Sequence, residues 1–274
     1  MINAQFCVSH IGKRRSHEDN FLFSGRYITP TEQKGMLEKQ AMYCGEKSAG
    51  SVRLFAVSDG MGGHSAGEIA SYICVSRLAE LESTIQNCSN VKDVVGICKK
   101  TIADINSEIC AQSLEVPAFR GMGATLVLLI VCGAECAVLN IGDSRAYLFD
   151  GVNLTQITKD HTEGQRMLDL KLLTSEEVLK FSARKNVNRY VGFSERGTQL
   201  MANEYFFETQ RSVIMLCSDG ISDFLTDSEI EEFLKADTNI EVIAKNIIER
   251  AVTKDGSDNA TIILISIKGG DSSV

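Results

Sequence analysis

Four aspartates in this chain stand at the ends of apolar runs, each beside a residue that turns the backbone. Asp59 lies in "FAVSDGMGGHSAGEIAS", Asp219 in "VIMLCSDGISDFL", Asp143 in "AVLNIGDSRAYLF" and Asp258 in "GSDNATIILI". A lone Asp-Gly after a strand is most simply a hairpin turn. Asp59-Gly60 and Asp219-Gly220, however, lead toward helices and not into returning strands. If the strands belong to two facing sheets, their acids converge at one mouth of the sandwich. Carboxylates gathered in that way need protons or cations. Oxygen-only ligation selects hard ions, Mg or Mn, which keep several waters, and the histidines at 10, 17, 64 and 161 have no zinc spacing. Two such ions, about 3.5–4 Å apart, can share a water, acidify it and aim it at a phosphate monoester. The transition state then favours a guanidinium fork. The stretch "GKRRSHEDN" supplies Arg14 and Arg15 beside Glu18 and Asp19, although a solvated charge run accounts for it equally well.

The elements that must carry these residues follow from periodicity. Alternation in "AQFCVSHIG" predicts a half-buried strand, and "FLFSGRY" at 21–27 a second. Residues 28–53 lack periodicity and read as a long excursion. "RLFAVSDG" reads as a strand buried on both faces. From Ser65 a helix is expected, with Ala66, Ile69, Ala70, Ile73, Cys74, Leu78, Leu81 and Ile85 on one face. A second helix fits 92–112. Strands are expected near 123–132, 135–142, 144–149 and 153–158, with turns at "CGAE" and "DGVN". The stretch 160–200 is polar and broken, with one short helix behind a Thr174 capping box. Strands return at 203–208, 211–217 and 260–267. Two helices lie before the last, opened by Thr226 with Glu229 and by Thr238 with Glu241. No linker or solenoid repeat interrupts the chain. The expected fold is α+β, a four-layer αββα sandwich: two antiparallel sheets face to face, flanked by helix pairs, over residues 1–274 as one domain.

The bulk numbers narrow the partners. A net charge of −8 disfavours nucleic acid and anionic membrane. Nine cysteines without a CxxC, several inside apolar periods, read as reduced core thiols. The longest apolar run contains Glu135 and is too broken to cross a bilayer, and the start lacks a signal-peptide pattern. A cytoplasmic monomer is expected.

Taken in order, "RRSHEDN", "AVSDGMGGHSAGEIAS", "GMGATLVLLIV", "NIGDSRAYLF", "TKDHT", "LCSDGISDFLT" and "SDNATIILI" closely resemble the metal-dependent protein phosphatases of type 2C, with "DGMGGH" in the form typical of bacterial members. The resemblance runs from about residue 5 to 268. It implies hydrolysis of phosphoserine and phosphothreonine by direct attack of a metal-bridging water. Asp59 would bridge two Mn or Mg ions and the Gly60 carbonyl would bind one of them. Asp219 and Asp258 would hold the other. Glu18 and Asp19 would orient waters, Asp19 also serving as a direct ligand. Arg14 would bind the phosphoryl group. Asp143, together with Asp223, would hold a third, weaker ion. Residues 162–198 correspond to a flap beside the metal site, with Arg184, Lys185 and Arg189 offered to an acidic phosphopeptide. The implied partners are phosphoproteins, those of a cognate Ser/Thr kinase. Two departures stand out: His17 replaces an Asn common before the Glu-Asp pair, and Met61 occupies the place of the general-acid His of animal-type members. His64 and His161 read as structural. Two other readings remain: a partner-switch phosphatase serving one small regulatory protein, and an inactive binding module.

Overall fold

The structure, a computed structural model, describes residues 2–34, 40–45, 51–62, 66–193, 200–208 and 211–267. His64, Ser65 and residues 194–198 of the expected flap lie outside the described residues. The strands are β1 (Ile2–His10), β2 (Asp19–Phe23), β3 (Gln40–Cys44), β4 (Val52–Met61), β5 (Gly123–Ala124), β6 (Leu126–Cys132), β7 (Glu135–Ile141), β8 (Arg145–Phe149), β9 (Leu154–Gln156), β10 (Asn203–Glu208), β11 (Ser212–Cys217) and β12 (Ala260–Ile267). The helices are α1 (Pro30–Lys34), α2 (Gly67–Glu80), α3 (Val91–Glu115), α4 (Glu163–Asp169), α5 (Ser175–Lys180), α6 (Asp219–Ser222), α7 (Asp227–Leu234) and α8 (Ile240–Lys254).

One sheet has the order β3-β1-β12-β11-β8-β9, and the other β10-β7-β6-β4-β2 with β5 added to the end of β4. Every pairing is antiparallel. The period-2 alternation of β4 explains the layering. Phe55 and Val57 point between the sheets, against Leu216, Ile263 and Ile265. Leu54 and Ala56 point the other way, onto the apolar stripes of α2 and α3. On the far side α7 and α8 cover the outer face of the first sheet with Ile230, Leu234, Ile243 and Ile247. The expected αββα sandwich is the observed one.

Several local expectations change. The strand drawn over 21–27 ends at Phe23, because Ser24 (φ 52°) and Gly25 (φ 72°) form a tight turn closed by hydrogen bonds between Phe23 and Arg26. The excursion at 28–53 contains α1 and the edge strand β3, which pairs with β1. The strand expected over 123–132 breaks at Thr125. Helix α8 is capped by Asn239, whose side chain accepts the Val242 N–H, so Thr238 is not its cap. Helix α4 was not anticipated; its N-cap Thr162 accepts the Gln165 N–H.

Candidate metal centre

Asp59 does not sit on the lip of its strand. β4 runs two residues further, and antiparallel pairing sets Asp59 directly opposite Asp19 on β2. Thr125 holds this end of the strand. Its Oγ1 accepts the Asp59 N–H at 2.9 Å, its own N–H donates to the Asp59 carbonyl at 2.8 Å, and its carbonyl accepts from Ser58 Oγ at 2.7 Å. The break between β5 and β6 is therefore the price of clamping Asp59. Gly60 is required by a close approach: a Cβ there would lie 2.0 Å from the Gly67 carbonyl oxygen, and one on Gly67 would lie 2.7 Å from that of Gly60. The start of α2 thus rests directly on the strand, and Gly60 N–H donates to the Glu18 carbonyl at 3.1 Å.

The other sheet brings Asp219, first residue of α6 after β11, and Asp258, just before β12. Asn259 laces the Asp258 turn to the "RRSHED" turn: its Oδ1 accepts the Glu18 N–H at 2.7 Å, and its Nδ2 donates to the carbonyls of Ile11 and Ser16. Arg14 lies across the same seam. Its Nε donates to the Ser257 carbonyl and its Nη2 to Asp258 Oδ2, both at 2.8 Å. Burial would lower the Arg14 pKa, but Asp258, Glu18 and Asp59 outweigh it and raise it. Arg15, its neighbour, is exposed.

The electrostatics are those of anions crowded away from water. Burial first, then Asp219, Asp19, Asp143 and Asp258, push Asp59 well above the ordinary carboxylate range. Asp219 rises to about 7 through burial, Asp258 and Asp223. Asp19 is fully buried and also rises to about 7, despite hydroxyl donors from Thr261 and Ser218. Burial and Glu68 raise Glu18. Glu68, on the first turn of α2, is 3% exposed with an unpartnered Oε2 among the described residues. Nothing in the sequence marks it: Glu68 falls opposite the apolar stripe of α2 and is buried because the helix start rests on Gly60.

Do divalent ions fit this donor set? The Oδ1 atoms of Asp19 and Asp219 are buried with no hydrogen-bond partner among the described residues, which leaves two lone-pair edges unspent. The donors are all oxygen. No three Asp, Glu, His or Cys side chains among the described residues converge as a ready-made ligand set. Mg-like ions do not need one, since they are held through one or two carboxylates and retain waters. The residues fit.

Asp143 lies between β7 and β8, 8% exposed, and is pushed well above the ordinary range by burial, Asp219, Asp160 and Asp223. His161 closes its loop: Nδ1 accepts the Gly142 N–H at 3.0 Å, and the His161 N–H donates to the Gly142 carbonyl. Burial and Arg189 lower the His161 pKa to about 4. A cavity of 220 Å³ is lined by Asp143, Asp219 and Asp223 together with Arg184 and Lys185. Lys185 is already engaged, its Nζ 2.6 Å from Asp223 Oδ2, and Arg189 lies 3.0 Å from His161 Nε2. His17 is buried and lies against Ser9. Met61 ends β4, half-buried.

Comparison with known proteins agrees with this geometry. The sequence model of protein phosphatase 2C matches residues 32–247. Serine/threonine phosphatase stp of Listeria monocytogenes serotype 4b is 31% identical over 221 residues, covering 79% of this chain and 87% of that protein. Serine/threonine protein phosphatase PstP of Mycobacterium tuberculosis is 35% identical over 215 residues, 78% of this chain and 40% of that longer protein. A crystal structure of the PstP catalytic domain in complex with two manganese ions superposes with a TM-score of 0.74 at 28% identity, covering 97% of this chain and 99% of that one. With acids from two facing sheets meeting at one mouth and this likeness over nearly its full length, the chain belongs to the protein phosphatase 2C family.

Proposed function

We propose that the mouth formed by Asp19, Asp59, Asp219 and Asp258 is the active centre of this metal-dependent serine/threonine protein phosphatase, and that residues 1–274 work as one catalytic domain. Asp59, the Gly60 carbonyl, Asp219 and Asp258 hold two Mn or Mg ions, with Asp19 as a further ligand. When bound, such ions supply positive charge against the phosphoryl oxygens and acidify water at neutral pH. The observation that carries the assignment is the pair of buried oxygens without a hydrogen-bond partner among the described residues, Asp19 Oδ1 on β2 and Asp219 Oδ1 at the start of α6, after β11 of the other sheet.

The chain's own residues do the positioning. Arg14 spends its Nε and one Nη2 proton on the Ser257 carbonyl and Asp258. Its side chain is 51% exposed, and the remaining N–H groups bind the phosphoryl oxygens of the substrate. Glu18 has its backbone fixed at both ends, by Asn259 and by Gly60 and Ser71, and its carboxylate orients water. Water attacks phosphorus and its oxygen forms the new P–O bond, the P–O bond to the serine or threonine oxygen breaks, and a proton given up by water ends on that oxygen as phosphate departs. His17 and His161, both with pKa lowered to about 4, are neutral at pH 7. Asp143 and Asp223 form a third, weaker cation position at which Lys185 competes.

The substrates are phosphoproteins, those of a cognate Ser/Thr kinase, met by a cytoplasmic monomer. Among the described residues no helix is long and apolar enough to cross a membrane. The test is turnover of p-nitrophenyl phosphate and a phosphothreonine peptide by chelator-treated protein, with and without added Mn. Activity should return with Mn and be lost in Asp59→Asn. Tight phosphopeptide binding without turnover at saturating Mn would establish an inactive binding module instead.

A further inference from the structure

A line of buried hydrogen bonds leads from His17 to Asp19 without passing through the peptide bonds between them. His17 Nε2 lies 3.0 Å from Ser9 Oγ. Ser9 Oγ lies 2.7 Å from Thr261 Oγ1, and Thr261 Oγ1 donates to Asp19 Oδ2 at 2.7 Å. Ser218 Oγ donates to the same Oδ2 at 2.7 Å while accepting the Thr261 N–H at 3.0 Å. Ser9, Thr261, Ser218 and Asp19 have no exposed surface, and His17 is 1% exposed. The β1–β12 register places Ser9 directly opposite Thr261, and Asp19 reaches them from the other sheet.

The direction of this line follows from counting protons. A threonine hydroxyl has one proton, and when Asp19 is ionised, as a carboxylate bound to a cation is, Thr261 gives it to Asp19. Toward Ser9 its oxygen can only accept, so Ser9 gives its proton to Thr261. The Ser9 oxygen can then only accept from His17, so His17 carries its proton on Nε2. Its Nδ1 is then bare, an atom with no hydrogen-bond partner among the described residues, although the Asp19 backbone lies close enough to the ring to work against the burial that lowers its pKa.

We propose that His17, Ser9 and Thr261 are positioning residues that, with Ser218, commit Asp19 Oδ2 to hydroxyl donors and leave Oδ1 as the one oxygen offered to a cation. The proposal rests on Asp19 being a metal ligand. Partners of this kind fix the orientation of a ligating carboxylate, and their loss typically weakens metal binding by 10–100-fold.

The experiment is Mn titration calorimetry on chelator-treated wild-type protein, Thr261→Val, Thr261→Ser and Asp19→Asn, with melting temperatures measured in chelator. Thr261→Val, which keeps the shape and removes the donor, should weaken one Mn site by about 10-fold. Thr261→Ser should restore it, whereas a packing role alone would favour Val over Ser. Independently of any variant, ¹⁵N NMR of Mg-saturated wild-type protein should show His17 protonated at Nε2 and bare at Nδ1. Wild-type Mn affinity in Thr261→Val alongside weakened binding in Asp19→Asn would overturn the relay and keep the ligand assignment. Wild-type affinity in Asp19→Asn would overturn both. An Nδ1–H tautomer would overturn the direction of the relay even if the valine variant did not fold.

Discussion

Asp219→Asn should make the metal-free protein more stable at alkaline pH while removing its activity. Burial, Asp258 and Asp223 raise the Asp219 carboxyl from its ordinary 3.8 to about 7. The folded protein therefore keeps a proton that the unfolded chain releases near 3.8. Its contribution to stability is fully present below that pH, falls as pH climbs toward 7, and is flat above. The interval is worth on the order of 4 kcal/mol. Neighbouring carboxylates share this burden, and an amide at the unpartnered Oδ1 position still lacks a partner, so the net gain expected from Asn at pH 8 is roughly 1–3 kcal/mol. For a chain of this size that is a rise of several degrees in melting temperature, at about 2–4 °C per kcal/mol. Thermal or urea unfolding in chelator, at about pH 5 and about pH 8, reads the effect. The stability difference between variant and wild type should widen as pH rises, and added Mn should reverse their order. A variant that is less stable than wild type by the same amount at both pH values would show that Asp219 serves packing and not charge.

Arg14→Ala should raise KM for phosphopeptides more than it lowers kcat, while Arg15→Ala changes little; steady-state kinetics separate the two, and a loss confined to kcat would assign Arg14 to the transition state alone. Asp143→Ala should impair phosphopeptide turnover with both tight Mn sites intact in calorimetry, and loss of a tight site would refute its placement at the weaker position. Lys185→Met removes the exposed ion pair to Asp223, worth at most about 1 kcal/mol. It should strengthen the weakest Mn site and speed amide exchange over α5 and the residues that follow; an unchanged third Mn affinity would show that lysine and ion do not compete.

The layers were legible because their signals are local. The short apolar run Leu54–Val57, closed by Gly60, reads as a strand buried on both faces, and the stripes of α2 and α3 repeat at helical spacing. The crowding of Asp59, Asp219 and Asp258, in which, besides burial, Asp219 and Asp258 raise the Asp59 pKa and Asp258 that of Asp219, was foreshadowed by their places at the ends of apolar runs, and the cation they would serve is our proposal. What stayed hidden depends on register and on distant pairs. Nothing near Thr125 says that its hydroxyl will hold the Asp59 N–H. Ser9 and Thr261 touch across 252 residues, so a serine in an alternating strand reads as an ordinary outward-facing position. Lys185 reads as a free cation for a peptide until the fold sets Asp223 beside it. Asn239 displaced Thr238 as the α8 cap because two neighbouring residues offered the same chemistry and only backbone geometry chooses between them.

The pairing of Asp19 and Asp59 on one sheet with Asp219 and Asp258 on the other turns the sandwich into a caliper. Its jaws are the two sheets, and its gap is set by Phe21, Val57 and Leu129 meeting Leu216, Ile263 and Ile265. Close-packed interiors transmit a missing or added methylene as a shift of their surroundings. Substitutions such as Leu129→Ala or Ile263→Leu, at side chains with no polar atom, therefore reset the distance between carboxylates on opposite jaws. On the proposed assignment of these carboxylates, catalysis places a tolerance on the apolar layer that is tighter than stability alone demands.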